Sequence, residues 1–141
     1  TLLALIPLAI LLGHAQPGWT PVPLPDLVYG LAYNLVFVCI LEESFFRGIL
    51  QTALMGWVRH RGWPYADGLS VLGASVLFGV AHLGGGSALV LLATLAGLGY
   101  GAIYYMTGRI QYAVLLHFTV NVIQQLAFAA LPAAAAQVSP T

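Results

Sequence analysis

Four long apolar runs, at 27–58, 69–83, 88–106 and 110–131, follow a shorter one at 2–12 and leave room for only eight charged side chains in the whole chain. A membrane-crossing helix needs about 20 consecutive apolar residues. With 60% of its 141 residues hydrophobic and 6% charged, the sequence lies far from the composition of soluble domains. It reads as all-α, a polytopic transmembrane helix bundle of about four to five spans. We expect a single membrane-embedded domain over 1–141, truncated at its N-terminus, because the chain opens inside an apolar run with neither an initiator Met nor a charged lead-in. The run at 27–58 is too long for one straight crossing, so its end after Arg47 is expected to leave the hydrocarbon or lie along the interface. Segment 17–26 holds four prolines and is expected to be non-helical; 59–68 and 107–109 are the other breaks.

The few charges exclude several classes of function. All four basic residues are arginines and the net charge is zero, so there is no nucleic-acid footprint and no polybasic tail for anionic lipid. The single cysteine, Cys39, forbids an internal disulfide and a multi-cysteine metal site. If the runs alternate in direction, Arg59, Arg61 and Arg109 fall on one side of the membrane, and the connections on the other side hold no Arg or Lys. The positive-inside rule makes the arginine side cytoplasmic, with the bacterial inner membrane as the expected location. Trp19, Trp57 and Trp63 sit near expected span ends, as interfacial anchors do, and the alanine-rich tail after 131 reads as a frayed end.

Polar side chains inside a span must face one another or a wet cavity. They are Glu42, Glu43 and Arg47 on the second run, His82 at the end of the third, and His117 and Asn121 on the last. Glu43 and Arg47 are four apart, share a helical face and can pair, which offsets much of the cost of burying either. Glu42 points about 100° away and has no such local partner. His117 and Asn121 are also four apart and present an imidazole and a carboxamide on one face. Phe78 and His82 repeat that spacing, with the phenyl ring as a packing wall beneath the imidazole. Cys39, buried without a cationic neighbour, reads as packing. Gly97 and Gly101 form a GxxxG that permits close helix contact.

Glu42-Glu43-x-x-x-Arg47, Phe78-x-x-x-His82 and His117-x-x-x-Asn121, in this order on successive polar-bearing spans, resemble the CPBP family of intramembrane proteases, which includes the CAAX prenyl endopeptidases and bacterial abortive-infection or bacteriocin-processing relatives. The resemblance covers 38–123 and implies an intramembrane endopeptidase. Its expected partners are membrane lipid and a membrane-tethered or prenylated peptide or protein. It further implies that Glu42 is the base that activates water, that His82 holds the same water, and that His117 and Asn121 donate to the oxyanion. Glu43 and Arg47 would then fix the helix that presents Glu42.

A zinc version would use Glu42, His82 and His117 as a two-His, one-carboxylate set. With no HExxH present, the metal-free, cofactor-free reading is favoured. Counted at about 1.5 Å per residue from the arginine side, Glu42 and His82 come out some 20 to 24 Å deep but His117 only about 10 Å. A tilted last helix, a recessed turn at 107–109 or an early bend in the second run would each close that gap. Two rivals remain. Gly85, Gly86, Ser87 and Ala88 approximate the GxSG of rhomboid serine proteases, but the fourth residue is Ala and the histidine–asparagine pair follows the serine instead of preceding it. A transporter or immunity-type scaffold explains Glu43 with Arg47 but not the unpaired Glu42. On the protease reading, Ser87→Ala leaves cleavage of a membrane-tethered peptide within about twofold of the parent, because Ser87 has no chemical role; assay of the purified variant checks it.

Overall fold

The computed structural model describes residues 2–13, 16–17 and 22–129, and among these the chain is helical apart from short connections and one two-residue antiparallel pairing of Gln16–Pro17 with Phe128–Ala129. The helices are α1 (Leu2–Leu11), α2 (Leu24–His60), α3 (Ala66–Ala81), α4 (Gly86–Thr107) and α5 (Ile110–Ala127). They follow the apolar runs closely, except that Leu24–Asp26, expected to be non-helical, form the first turn of α2, which tolerates proline. Trp19, His14 and the tail beyond 129 lie outside the described residues. Two helical stretches, Leu24–His60 with 37 residues and Leu83–Thr107 with 25, are long and apolar enough to cross a membrane, while Ala66–Ala81 is apolar but shorter.

Local chemistry sets the boundaries. Pro23 caps α2 and Pro25 sits in its first turn, where a missing N–H costs nothing. The chain leaves α4 through Gly108 at φ 64, whose N–H bonds back to Tyr104 O at 2.8 Å, a glycine stop that a side chain would strain. Only Arg109 then separates α4 from α5.

The bundle is inside-out relative to a soluble protein. Glu43, Arg47, Gln51, Ser70, Ser75 and His117 are buried, whereas Val36, Phe37, Leu41, Phe45, Ile49, Leu72, Val76 and Leu77 are exposed. Lipid is the solvent that suits such a surface. Within α2 the buried residues up to Gln51 form a column at steps of four, Cys39, Glu43, Arg47 and Gln51, with Val58 buried further along. On a regular α-helix such a column drifts by about 40° per step, or about 120° across it. Two stretches of α2, Asn34–Ile40 and Ser44–Gln51, are π-helical, with Leu41–Glu43 α-helical between them. The wider winding turns less per residue and keeps the column facing one way.

Polar contacts from that column fix the register. Arg47 Nη2 donates to Gly97 O at 3.0 Å and Gln51 Nε2 to Gly101 O at 3.0 Å, so α2 and α4 run parallel. α5 runs antiparallel to α2. A Cβ on Gly48 would lie 3.4 Å from Ile110, His117 meets Glu43, and a Cβ on Gly30 would lie 3.4 Å from Gln125. Because α5 starts beside Gly48, the last dozen residues of α2 overshoot it, by about 18 Å. His117 nonetheless lies beside the glutamates, while the Gln51–Gly101 bond and the contacts of Asp67 with Arg59 and Tyr105 bring the end of α4 toward the level of the end of α2.

Glycines let the helices approach. A Cβ on Gly97 would sit 3.2 Å from Arg47 Nη2 and 3.3 Å from Ser75 Cα, and one on Gly101 would sit 2.8 Å from Gln51 Oε1. At Gly79 it would land on Thr94 Oγ1 and lie 2.7 Å from Val90 O, a backbone atom that cannot swing aside. Gly79→Ala is therefore expected to force α3 from α4 and destabilise the fold by about 1–3 kcal/mol. Gly68→Ala, in the same helix with open space around it, should be neutral or mildly stabilising. Thermal unfolding of the two variants in detergent separates them.

Candidate active site

The site forms where α2, α3 and α5 meet. Glu43 and Arg47 have fully buried side chains, with Arg47 Nε 3.1 Å from Glu43 Oε2. Those two atoms are close enough to be ion-paired but not aligned for a hydrogen bond; the bond proper is Arg47 Nη1 to Glu43 Oε1 at 3.3 Å. The guanidinium also lies over the rings of Phe78, 4.7 Å from its centroid, and Tyr100, at 5.4 Å. Cation–π contact adds to the compensation of a desolvated charge.

Glu43 has a second partner absent from the sequence reading. His117 Nδ1 lies 2.9 Å from Glu43 Oε1. A carboxylate paired to arginine only accepts, so Nδ1 carries the proton and Nε2 faces outward from the pair. That Nε2 is 4.0 Å from Glu42 Oε2, too far for a direct hydrogen bond. Tyr100 stacks on the imidazole with centroids 4.8 Å apart and planes at 15°, and Phe78 meets it edge-on at 5.8 Å. The ring is held on three sides.

Glu42 differs from its neighbour in exposure and in partners. Its side chain is 30% exposed against 0% for Glu43, and among the described residues it accepts no hydrogen bond, whereas Glu43 Oε1 accepts from Arg47 and His117 and its Oε2 has Arg47 Nε at ion-pair distance. One residue thus separates a carboxylate held by two partners from one that is held by none.

His82 ends α3 at φ −94, ψ 13. Its Nδ1 is 2.8 Å from Phe78 O; because a carbonyl accepts, Nδ1 is the donor and Nε2 is left as an acceptor. The ring packs on Phe78 at 4.6 Å, the wall that the four-residue spacing predicts. Phe78 therefore touches both imidazoles and the guanidinium. Asn121 turns its amide toward α2, with Nδ2 3.4 Å from Asn34 Oδ1 and 3.8 Å from Cys39 Sγ. It shares the α2-facing side of α5 with His117 without bonding to it.

Asn34, Gln51 and Tyr100 were not singled out by the sequence. Gln51 extends the four-residue column of α2 beyond Arg47, and that register is the signal that would have found it; Asn34, five residues before Cys39, stands off that register. Tyr100, inside a glycine-rich run, had none. Ser87 is exposed at the start of α4 and makes no hydrogen bond to a histidine among the described residues.

In donor type, Glu42, His82 and His117 suit zinc, since each imidazole presents Nε2 with Nδ1 held by a fixed acceptor. In placement they do not. Among the described residues, no three of His, Cys, Asp and Glu are grouped closely enough to hold a metal ion. The set as it stands is not a metal cradle.

Comparison with known families matches residues 24–123 to the model described as Type II CAAX prenyl endopeptidase Rce1-like. The match runs from the first residue of α2 into α5 and includes every residue of the three polar motifs. No curated protein and no solved structure gave a significant match. Covering well over half of the sequence, the family match shows that this integral membrane chain belongs to the Rce1-like family of type II CAAX prenyl endopeptidases.

Proposed function

We propose that the chain hydrolyses a peptide bond of a membrane-anchored substrate of the CAAX type, with water activated by Glu42 and without a metal. The observation that carries this is the asymmetry of the two glutamates. Glu43 is fully buried and held by Arg47 and His117, while Glu42 accepts no hydrogen bond among the described residues and keeps Oε2 4.0 Å from His117 Nε2, at the edge of solvent access. A carboxylate in that state is available to take a proton.

Water bound between Glu42 and His82 gives one proton to Glu42, while His82 Nε2 accepts its other hydrogen and aims the oxygen. The oxygen attacks the scissile carbonyl, forming the C–O bond and an oxyanion. His117 donates to that oxyanion from Nε2 when it carries both ring protons, with Nδ1 held by Glu43 and the ring stacked on Tyr100. Asn121 Nδ2 supplies a neutral donor. Collapse of the intermediate breaks the C–N bond, and the proton held by Glu42 passes to the leaving amine. Arg47 pairs with Glu43, and Glu43 Oε1 in turn fixes the ring of His117. We further propose that α2 to α5 all traverse the bilayer, wholly or in part, with the arginine-bearing ends cytoplasmic.

The probe is a peptide with a prenylated cysteine in a C-terminal C-a-a-X sequence. Glu42→Gln and His82→Ala should each lower its cleavage about 10²–10⁴-fold while leaving the thermal midpoint in detergent unchanged. Full activity in Glu42→Gln sinks the proposal. Arg47→Leu is expected to fail differently, because it strands Glu43 as a buried unpaired charge and should cost about 3–5 kcal/mol of stability as well as activity. Elemental analysis tests the metal-free route: stoichiometric zinc, removed by a chelator together with activity, overturns it.

A further inference from the structure

Glu42, His82 and His117 come from α2, α3 and α5, yet the ring that covers His117 comes from α4. Tyr100 lies nearly parallel to the imidazole, with centroids 4.8 Å apart and planes at 15°. The bond between His117 Nδ1 and Glu43 Oε1, at 2.9 Å, fixes one corner of the imidazole but is a pivot about which the rest can swing. Phe78 meets the imidazole at 88°, so among the aromatic rings described against it only Tyr100 lies flat on its face. Tyr100 is itself firmly placed. It is 1% exposed, and the α4 backbone is tied to α2 on both sides of it, Arg47 Nη2 donating to Gly97 O and Gln51 Nε2 to Gly101 O, each at 3.0 Å. A ring locked to α2 through its own backbone thus lies against a histidine of α5.

We propose that Tyr100 is a positioning residue for His117, holding the plane of the imidazole so that Nε2 points to the Glu42 side of the site. There Nε2 is 4.0 Å from Glu42 Oε2, beside the carboxylate but too far to be tied up by a hydrogen bond to it. A swing about Nδ1 would carry Nε2 out of that position while the bond to Glu43 survived, and stacking opposes the swing. The contact uses the face of the tyrosine ring and not its hydroxyl. Tyr100 therefore acts through His117 and not on a reacting atom. The proposal rests on the oxyanion role of His117 in the function proposed above.

Steady-state cleavage of the prenylated C-a-a-X peptide by the full chain in detergent tests it through a double-mutant cycle. Loss of an oxyanion donor costs about 10²–10³-fold in kcat, so His117→Ala should fall in that range. Tyr100→Leu, which removes the stacked face, should lower kcat about tenfold or more and leave KM within about twofold, as expected of a residue that serves the transition state through a donor. Tyr100→Phe restores the face without the hydroxyl and should recover most of the kcat lost in the leucine variant. In the His117→Ala background, Tyr100→Leu should produce no further loss, because the ring it orients is gone. Tyr100→Met replaces the leucine variant if that one does not fold. An unchanged kcat in the leucine or methionine variant, a phenylalanine variant as impaired as either, or a loss that persists in full beside His117→Ala overturns the positioning role. Parental activity in His117→Ala, or no cleavage by the parent chain, overturns instead the oxyanion assignment beneath the proposal, and the proposal with it.

Discussion

A fully buried ion pair between Glu43 and Arg47 governs this bundle. Taking two charges out of water costs several kcal/mol each, and their mutual attraction recovers that cost only when the remaining donors and acceptors are satisfied. The requirement recruits the rest of the structure. Arg47 reaches the carbonyl of Gly97 on α4, Glu43 receives His117 from α5, and Phe78 of α3 lies under the guanidinium. Four helices are thus tied to one pair of charges. Gly97 lacks a side chain because one there would press on Arg47 Nη2 and on the backbone of α3.

The same arrangement explains how adjacent glutamates come to have unlike chemistry. Successive residues of a helix point in different directions, so Glu43 enters the charged centre while Glu42 meets its rim. The ring of His117 spans the two, with one nitrogen on each side. Helix winding is part of the device: without the π stretches of α2, Cys39, Glu43, Arg47 and Gln51 would spiral away from their partners on α4 and α5.

Much of this was legible in the sequence. Helix positions followed from apolar runs broken by proline and glycine, and the Glu43–Arg47 pair and the Phe78 wall under His82 followed from four-residue spacing on single helices. Contacts between helices were less accessible. That His117 pairs with Glu43 depends on how α5 is set against α2, and no local spacing encodes it. Asn34 is five residues from Cys39 and joins the polar column only because of the π winding, which a regular helical wheel does not contain. Where α5 meets α2 was hidden for a similar reason: Ile110 beside Gly48 and His117 beside Glu43 are contacts between helices, which a count along each helix does not contain.

Position along the two helices bears on what the proposed hydrolysis would release. Seven residues, about 10 Å of helix, separate the first residue of α5 from His117, whereas some 27 Å of α2 lie between Glu42 and His60. On the function proposed above, the new carboxylate and ammonium termini would form two helical turns from the start of α5, and charged groups of that kind leave hydrocarbon for water. The greasy remainder of the cleaved chain would stay in lipid.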